Sequence, residues 1–263
     1  MTEIAGAGVV VTGGGNGIGR AIARKMAAGD ARVVVNDLDG DAAAAVAREI
    51  DGYAVSGDAA SEAGVRELIA AARDRLGTID VYCANAGIGI RGGPEAPDEH
   101  WLRAWDVNLM AHVRASRELL PGWLERGSGT FVVTASAAGL LTMLGSAPYS
   151  VTKHAAVAYA EWLAATYLHR GIAVHCICPQ GVRTQMLARS GAAGDAVLQR
   201  TAIEPEAVAE ALWDAMAVGR FLVLPHPEVH DYYVRRATDT DRWLAGMRKL
   251  QQQIERAVSG PAS

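Results

Sequence analysis

The sequence predicts a doubly wound α/β protein: a parallel seven-stranded sheet with helices on both faces, followed by an extra C-terminal helix. Short β-branched runs alternate with longer Ala-rich segments of helical period, and the strand-like runs are apolar throughout rather than alternating. Strands buried on both faces need continuous apolar sequence, and a crossover helix between successive strands builds a parallel sheet. Size agrees, since 263 residues, half of them hydrophobic and 21% charged, can fill a two-sided core.

The elements follow in order. Strand candidates are "GVVVT" (8–12), "RVVVN" (32–36), "YAVSG" (53–57), "DVYCAN" (80–85), "TFVVTA" (130–135), "AVHCIC" (173–178) and "FLVLP" (221–225). Helical segments lie between them at roughly 17–28, 41–50, 61–76, 99–126, 148–170 and 205–218. No linker or shift of composition divides the chain, so residues 1–263 read as one domain. Two segments stand outside the rhythm. Residues 187–204, rich in Ala and Gly and poorly periodic, read as a lid loop. Residues 239–258 read as a helix with Trp243, Met247, Leu250 and Ile254 on one stripe. Such a stripe packs on its own domain, and a pocket cover or a subunit contact are the alternatives.

The net charge of −4 leaves no footprint for nucleic acid or an anionic membrane. The opening "MTEIAGAGVVVTGG" has neither a basic flank nor a long apolar region, so no signal peptide or membrane span is predicted and a cytoplasmic protein is expected. Cys83, Cys176 and Cys178 lie in apolar runs, as reduced, buried thiols do. No metal site is predicted. The "PHPEVH" stretch holding His226, Glu228 and His230 lacks helical ligand spacing, and its prolines suggest an extended structural turn.

The first strand runs into "TGGGNGIG". Gly13, Gly17 and Gly19 fall between a strand and a helix, where glycine lets the chain turn tightly and bring backbone N–H groups against a diphosphate. Asp37, ending the second strand, stands where a carboxylate accepts hydrogen bonds from an adenosine ribose. It would repel a 2′-phosphate, and neither Asn16 nor Leu38 offers a compensating positive charge, which favours NAD over NADP. The bland alternative is a turn former, and "NDLDG" does have turn chemistry.

Tyr149 and Lys153, in "PYSVTKHAAVAYA", leave the same face of a helix one turn apart. A phenol titrates near pH 10, and an ammonium about 5 Å away favours phenolate by roughly 3 kcal/mol at an effective dielectric of ~20. The pair therefore reads as a tuned acid–base unit.

Taken together, these motifs resemble the short-chain dehydrogenase/reductase family over nearly the whole chain to about residue 225. "TGGGNGIG" is similar to the family's cofactor loop, and Asn85, Ala86 and Gly87 ("NAG") to its sheet-stabilising motif. Ser136 stands thirteen residues before Tyr149, and Tyr149 with Lys153 matches Y-x-x-x-K. The resemblance implies a Rossmann-type fold and a catalytic set of Asn108, Ser136, Tyr149 and Lys153. Tyr149 would exchange a proton with an alcohol whose hydride passes to nicotinamide, and Ser136 would hold the substrate oxygen. Lys153 would bind the nicotinamide ribose, and Asn108 would hold a water linking Lys153 to solvent. It also implies cofactor contacts by Gly13, Asn16, Gly17, Ile18, Gly19, Asp37, Leu38, Asp58, Ala59, Asn85, Ala86, Gly87, Tyr149, Lys153, Pro179, Val182 and Thr184.

Two stretches depart from the family pattern. "PQGVRT" has Gln180 where glycine is usual, and "FLVLPHPEVHDYY" replaces a short glycine-rich close. Ile88, Leu140, Met143, Met186 and Leu187 are expected to wall an apolar pocket. The expected function is NAD-dependent oxidoreduction of a hydrophobic secondary alcohol or ketone by a homodimer or homotetramer. An NADPH-dependent ketoreductase and a non-catalytic dinucleotide-binding regulator are the alternatives.

Overall fold

The structure, a computed structural model, describes residues 3–189, 198–199 and 201–259. Seven strands form one parallel sheet: β1 Gly8–Thr12, β2 Arg32–Asp37, β3 Tyr53–Ser56, β4 Val81–Ala84, β5 Gly129–Thr134, β6 Ile172–Ile177 and β7 Leu222–Val223. Their spatial order is β3-β2-β1-β4-β5-β6-β7, so the direction of winding reverses between β1 and β4. The chain leaves the sheet in opposite directions at that point and opens a crevice at the carboxyl ends of the strands.

Continuous apolar runs are buried on both faces, as expected: every residue of β1, β4 and β5 is buried. Helices α1 (Gly17–Ala28), α2 (Gly40–Glu49) and a later helix at Pro205–Val218 cover one face with Ile22, Met26, Val46 and Leu212. The other face is covered by α3 (Glu62–Leu76), α5 (Ala111–Arg126) and α7 (Ala147–Tyr167), through Leu68, Leu119, Ala156 and Leu163. The three cysteines are free thiols buried in these layers. Among the described residues, no helix is long and apolar enough to cross a membrane.

Four features differ from the sequence expectation. The helix expected over 99–126 is divided into α4 (Asp98–Trp105), a π-helical turn (Asp106–Met110) and α5. A short helix α6 (Ala138–Leu141) follows β5 and another, α8 (Gln185–Ala188), follows β6. The "PHPEVH" stretch is not an extended turn. With Pro205–Val218 as α9, Glu228–Thr238 forms α10, led in by Pro227. Proline has no N–H to lose before a first helical turn and its φ is already helical, so it starts a helix as readily as it breaks one. Of the expected lid, 190–197 and 200 lie outside the described residues. Its described flanks hold α8 and a short parallel bridge between Val182 and Ile203. The C-terminal helix is present as α11, Thr240–Ser259.

Candidate active site

A cleft of about 1400 Å3 opens over the carboxyl ends of the strands at the β1/β4 reversal. Its walls include sixteen of the seventeen residues expected at a cofactor, from Gly13 in the glycine loop to Thr184 before α8. Gly19 is the exception. A Cβ there would lie 2.1 Å from the Gly13 carbonyl oxygen, so glycine at this position lets α1 close on the preceding turn.

The loop is tied from behind. Thr12 Oγ accepts the backbone N–H groups of Asn85 and Ala86, each at 3.0 Å, and the Asn85 amide donates to the carbonyls of Thr12 (3.0 Å) and Gly13 (3.2 Å). Sequence reading passed over Thr12. Its position as the last strand residue before three glycines was the available signal. Gly13 and Gly17 have φ of 59° and 50°, the left-handed region that glycine enters without strain. The Asn16 side chain caps no N–H of α1, so the first-turn donors stay free for an anion. A Cβ on Gly17 would stand 2.8 Å from Thr184 Cγ2, so only glycine keeps the gap between loop and Thr184 open.

Asp37 sits beside this cradle, one carboxylate oxygen accepting from Gly15 N–H at 2.9 Å and the other from Asp39 N–H at 3.0 Å. Each oxygen keeps lone-pair capacity for hydroxyls in the cleft. Asp58 is held by the Ala60 N–H at 2.9 Å, with Ala59 beside it in the wall. Free helix donors, a bare backbone turn and a carboxylate at the far end fit a dinucleotide.

Ser136, Tyr149 and Lys153 meet at the other end of the cleft. Ser136 follows β5, its hydroxyl donating to the Pro179 carbonyl at 3.4 Å and facing the Tyr149 phenol. Pro148 occupies the first turn of α7, and the helix carries both Tyr149 and Lys153 towards the cleft. Lys153 Nζ lies 5.7 Å from the Tyr149 ring centre and donates to the Thr134 carbonyl at 2.8 Å.

The π turn points Asn108 inward and buries it completely. Its Oδ1 accepts the Ile88 N–H at 2.9 Å, while Nδ2 donates to the Ile88 carbonyl at 3.0 Å and to Thr152 Oγ at 3.1 Å. Asn108 thus locks the chain after β4 to α7. It stands behind the cleft wall and not in it. A Cβ on Gly87 would lie 3.3 Å from Asn108 Oδ1 and 3.4 Å from Lys153 Nζ, so the backbone at Gly87 is flanked by both groups.

Burial decides the resting charges, and it reverses the expected direction for the phenol. Tyr149 is half-buried by surface, yet its phenol lies deep enough that burial pushes its pKa up; the facing Ser136 hydroxyl only partly opposes this. Burial pulls Lys153 down to about 8, with Cys176 and Cys178 beneath it acting the other way. The Coulomb argument from spacing omitted the cost of taking both groups out of water.

The apolar wall contains Ile88, Met143, Met186 and Leu187 as expected, but not Leu140. Leu140 turns into the core, and Leu141, one residue along α6, lines the cleft instead. Gln180 is fixed by a histidine: its N–H donates to His226 Nδ1 at 3.2 Å, and His226 Nε2 pairs with the Thr201 carbonyl at 3.2 Å. Both ring nitrogens of His226 are therefore engaged, which accounts for its burial. Helices α10 and α11 also supply cleft-lining side chains, a contribution the sequence left open.

The short chain dehydrogenase family profile matches residues 7–194. The chain is 38% identical to 1-deoxy-11-beta-hydroxypentalenate dehydrogenase of Streptomyces exfoliatus over 232 residues, 83% of this chain and 82% of the relative. It is 35% identical to 2,5-dichloro-2,5-cyclohexadiene-1,4-diol dehydrogenase of Sphingobium indicum, over 72% of this chain and 78% of the relative. Among solved structures, a short chain dehydrogenase/reductase from Burkholderia phymatum in complex with NAD superposes with a TM-score of 0.84. That match is 29% identical and covers 92% of this chain and 96% of that one.

Proposed function

Because the chain belongs to the short-chain dehydrogenase/reductase family, we propose that this oxidoreductase acts as an NAD-dependent dehydrogenase of hydrophobic secondary alcohols. In this reading the whole chain works as one domain, with Tyr149 as proton acceptor and donor. The observation that supports it best is the meeting of Ser136, Tyr149 and Lys153 in one cleft with the glycine cradle and Asp37.

Gly13, Asn16, Gly17, Ile18 and Thr184 would hold the diphosphate. Asp37 and Leu38 would hold the adenosine ribose, and Asp58 and Ala59 the adenine. Asn85, Ala86 and Gly87 line the centre, and Pro179, Val182 and Lys153 the nicotinamide side. When bound, NAD supplies a positively charged hydride acceptor. Ser136 holds the alcohol oxygen, and Tyr149 takes its proton in the oxidation direction. In the reduction direction the resting neutral phenol is already the acid, which matches its raised pKa. Lys153 stabilises the phenolate that forms when Tyr149 gives up its proton, and Asn108 keeps the chain after β4 and α7 in register behind it.

Relatives named for a pentalenate alcohol and a cyclohexadiene diol support a cyclic, largely apolar substrate, as does the Ile88, Met143, Met186 and Leu187 wall. Half-exposed Trp105 on α4 and Trp162 on α7 support pairing into a homodimer or homotetramer. Initial rates on cyclic and terpenoid secondary alcohols, with NAD and NADP in parallel, test the reading. NAD is expected to give at least a tenfold higher kcat/KM, because the Asp37 carboxylate repels a 2′-phosphate. Turnover of small polyols alone, or a preference for NADP, would contradict it.

A further inference from the structure

The cleft of about 1400 Å3 takes in the dinucleotide cradle and more, since its lining runs on past that cradle to the C-terminal helices. Beyond Ser136 and Tyr149 the cavity continues beneath α11, and Trp243, Gly246, Met247, Leu250 and Ile254 all line it. These positions recur at helical spacing, while Arg248 and Lys249 on the same helix are exposed. The stripe left open by the sequence thus lines the same cavity as Ser136 and Tyr149.

The helix is held from one end. Arg236 of α10 bonds the Leu140 carbonyl and His154 Nε2, anchoring α10 to α6 and α7. Asp239 caps the start of α11 through the Arg242 N–H at 2.9 Å, and Trp243 packs against Tyr232 of α10 with ring centres 6.5 Å apart. Past Trp243 the stripe contains Gly246, where an added Cβ would meet nothing within 4 Å. Glycine inside a helix weakens it, and no left-handed turn requires one here. What Gly246 provides is a notch in the wall between Trp243 and Leu250.

We propose that α11 forms the far wall of the alcohol pocket, and that Trp243, Gly246, Met247 and Leu250 size it for a fused polycyclic secondary alcohol. This rests on the dehydrogenase reading above and adds the substrate's size and the residues that set it. On this assignment a single ring held at Ser136 leaves the Gly246 notch empty, and a second fused ring extends towards it.

The test uses the full-length protein with NAD and two probes, cyclohexanol and decahydro-2-naphthol. The wild-type enzyme oxidises decahydro-2-naphthol with the lower KM. Gly246→Phe fills the notch and raises the KM for decahydro-2-naphthol, relative to that for cyclohexanol, by about tenfold. Gly246→Ala moves the ratio less than threefold while raising the melting temperature, which separates pocket size from helix stability. A folded Gly246→Phe protein with an unchanged ratio overturns the assignment. So does an unchanged ratio with an altered subunit count by light scattering, which places α11 in a subunit interface. Wild-type turnover of cyclohexanol alone overturns the α11 wall but leaves the dehydrogenase reading standing. Turnover of neither alcohol contradicts both.

Discussion

Tyr149 and Lys153 show how burial changes what two side chains one helical turn apart can do. Spacing alone favours phenolate, but in the folded protein the phenol is pushed up and the ammonium down to about 8. The resting pair is therefore close to a neutral phenol beside a weakly held proton. His112 feels the same environment. It is buried one turn after Asn108 with neither ring nitrogen partnered, and its pKa is lowered to about 3, first by burial and then by the charge of Lys153. The folded value lies below the unfolded one of about 6.5, so the neutral ring's contribution to stability is complete above pH 6.5 and is lost as pH falls towards 3. The loss from this group between pH 6.5 and 5 is roughly 2 kcal/mol. His112→Leu removes that dependence and two unpartnered nitrogens. Urea unfolding at pH 7 and pH 5 is expected to show the variant more stable at both and much less sensitive to acid. Identical pH dependence in both proteins would count against the burial argument.

At the scale of elements, the glycine loop and the π turn are where local sequence and tertiary demand part. Gly19 reads as a cofactor contact from its motif position, and the structure adds a second demand on it, the close approach of α1 to the turn at Gly13. Gly19→Ala places a methyl group 2.1 Å from a carbonyl oxygen that cannot yield without opening the loop. NADH affinity, followed by fluorescence titration, is expected to fall at least tenfold, with a stability loss of about 1–3 kcal/mol. Unchanged affinity would mean that the loop geometry is not what holds the diphosphate.

The strands were legible to within a residue or two because two-sided burial leaves an unbroken apolar run, as in "GVVVT" and "TFVVTA". The π turn was not legible, since "DVNLM" has the composition of an ordinary helix and only the bonds of Asn108 to Ile88 and Thr152 show why the ladder opens there. Helix α10 was hidden by prolines that read as breakers. The side chain behind Pro227 that anchors this region, His226, makes its bonds to residues more than twenty positions away.

For the molecule as a whole, the order β3-β2-β1-β4-β5-β6-β7 does the assembling. Residues separated by more than 130 positions, from Asp37 to Thr184, reach one cleft because each follows the carboxyl end of a strand or starts the next helix. The constellation was therefore readable once the β–α rhythm was recognised. Four bonded loops, those after β1, β4, β5 and β6, make a rigid floor: Thr12 ties the first two, and the Pro179 carbonyl, bonded by Ala137 N–H at 2.8 Å, ties the others. The roof is built by α10 and α11, whose place over the cleft depends on Arg236 and Tyr232. No periodicity argument reaches that far, because an apolar stripe states only that something covers it.

Tyr149→Phe tests the central claim most directly, with NAD binding and alcohol oxidation measured on the same preparation. Removing one hydroxyl is expected to lower kcat by roughly 10²–10⁴-fold while leaving NAD affinity within about threefold. Retained turnover in the folded variant would place the proton transfer elsewhere and contradict the account.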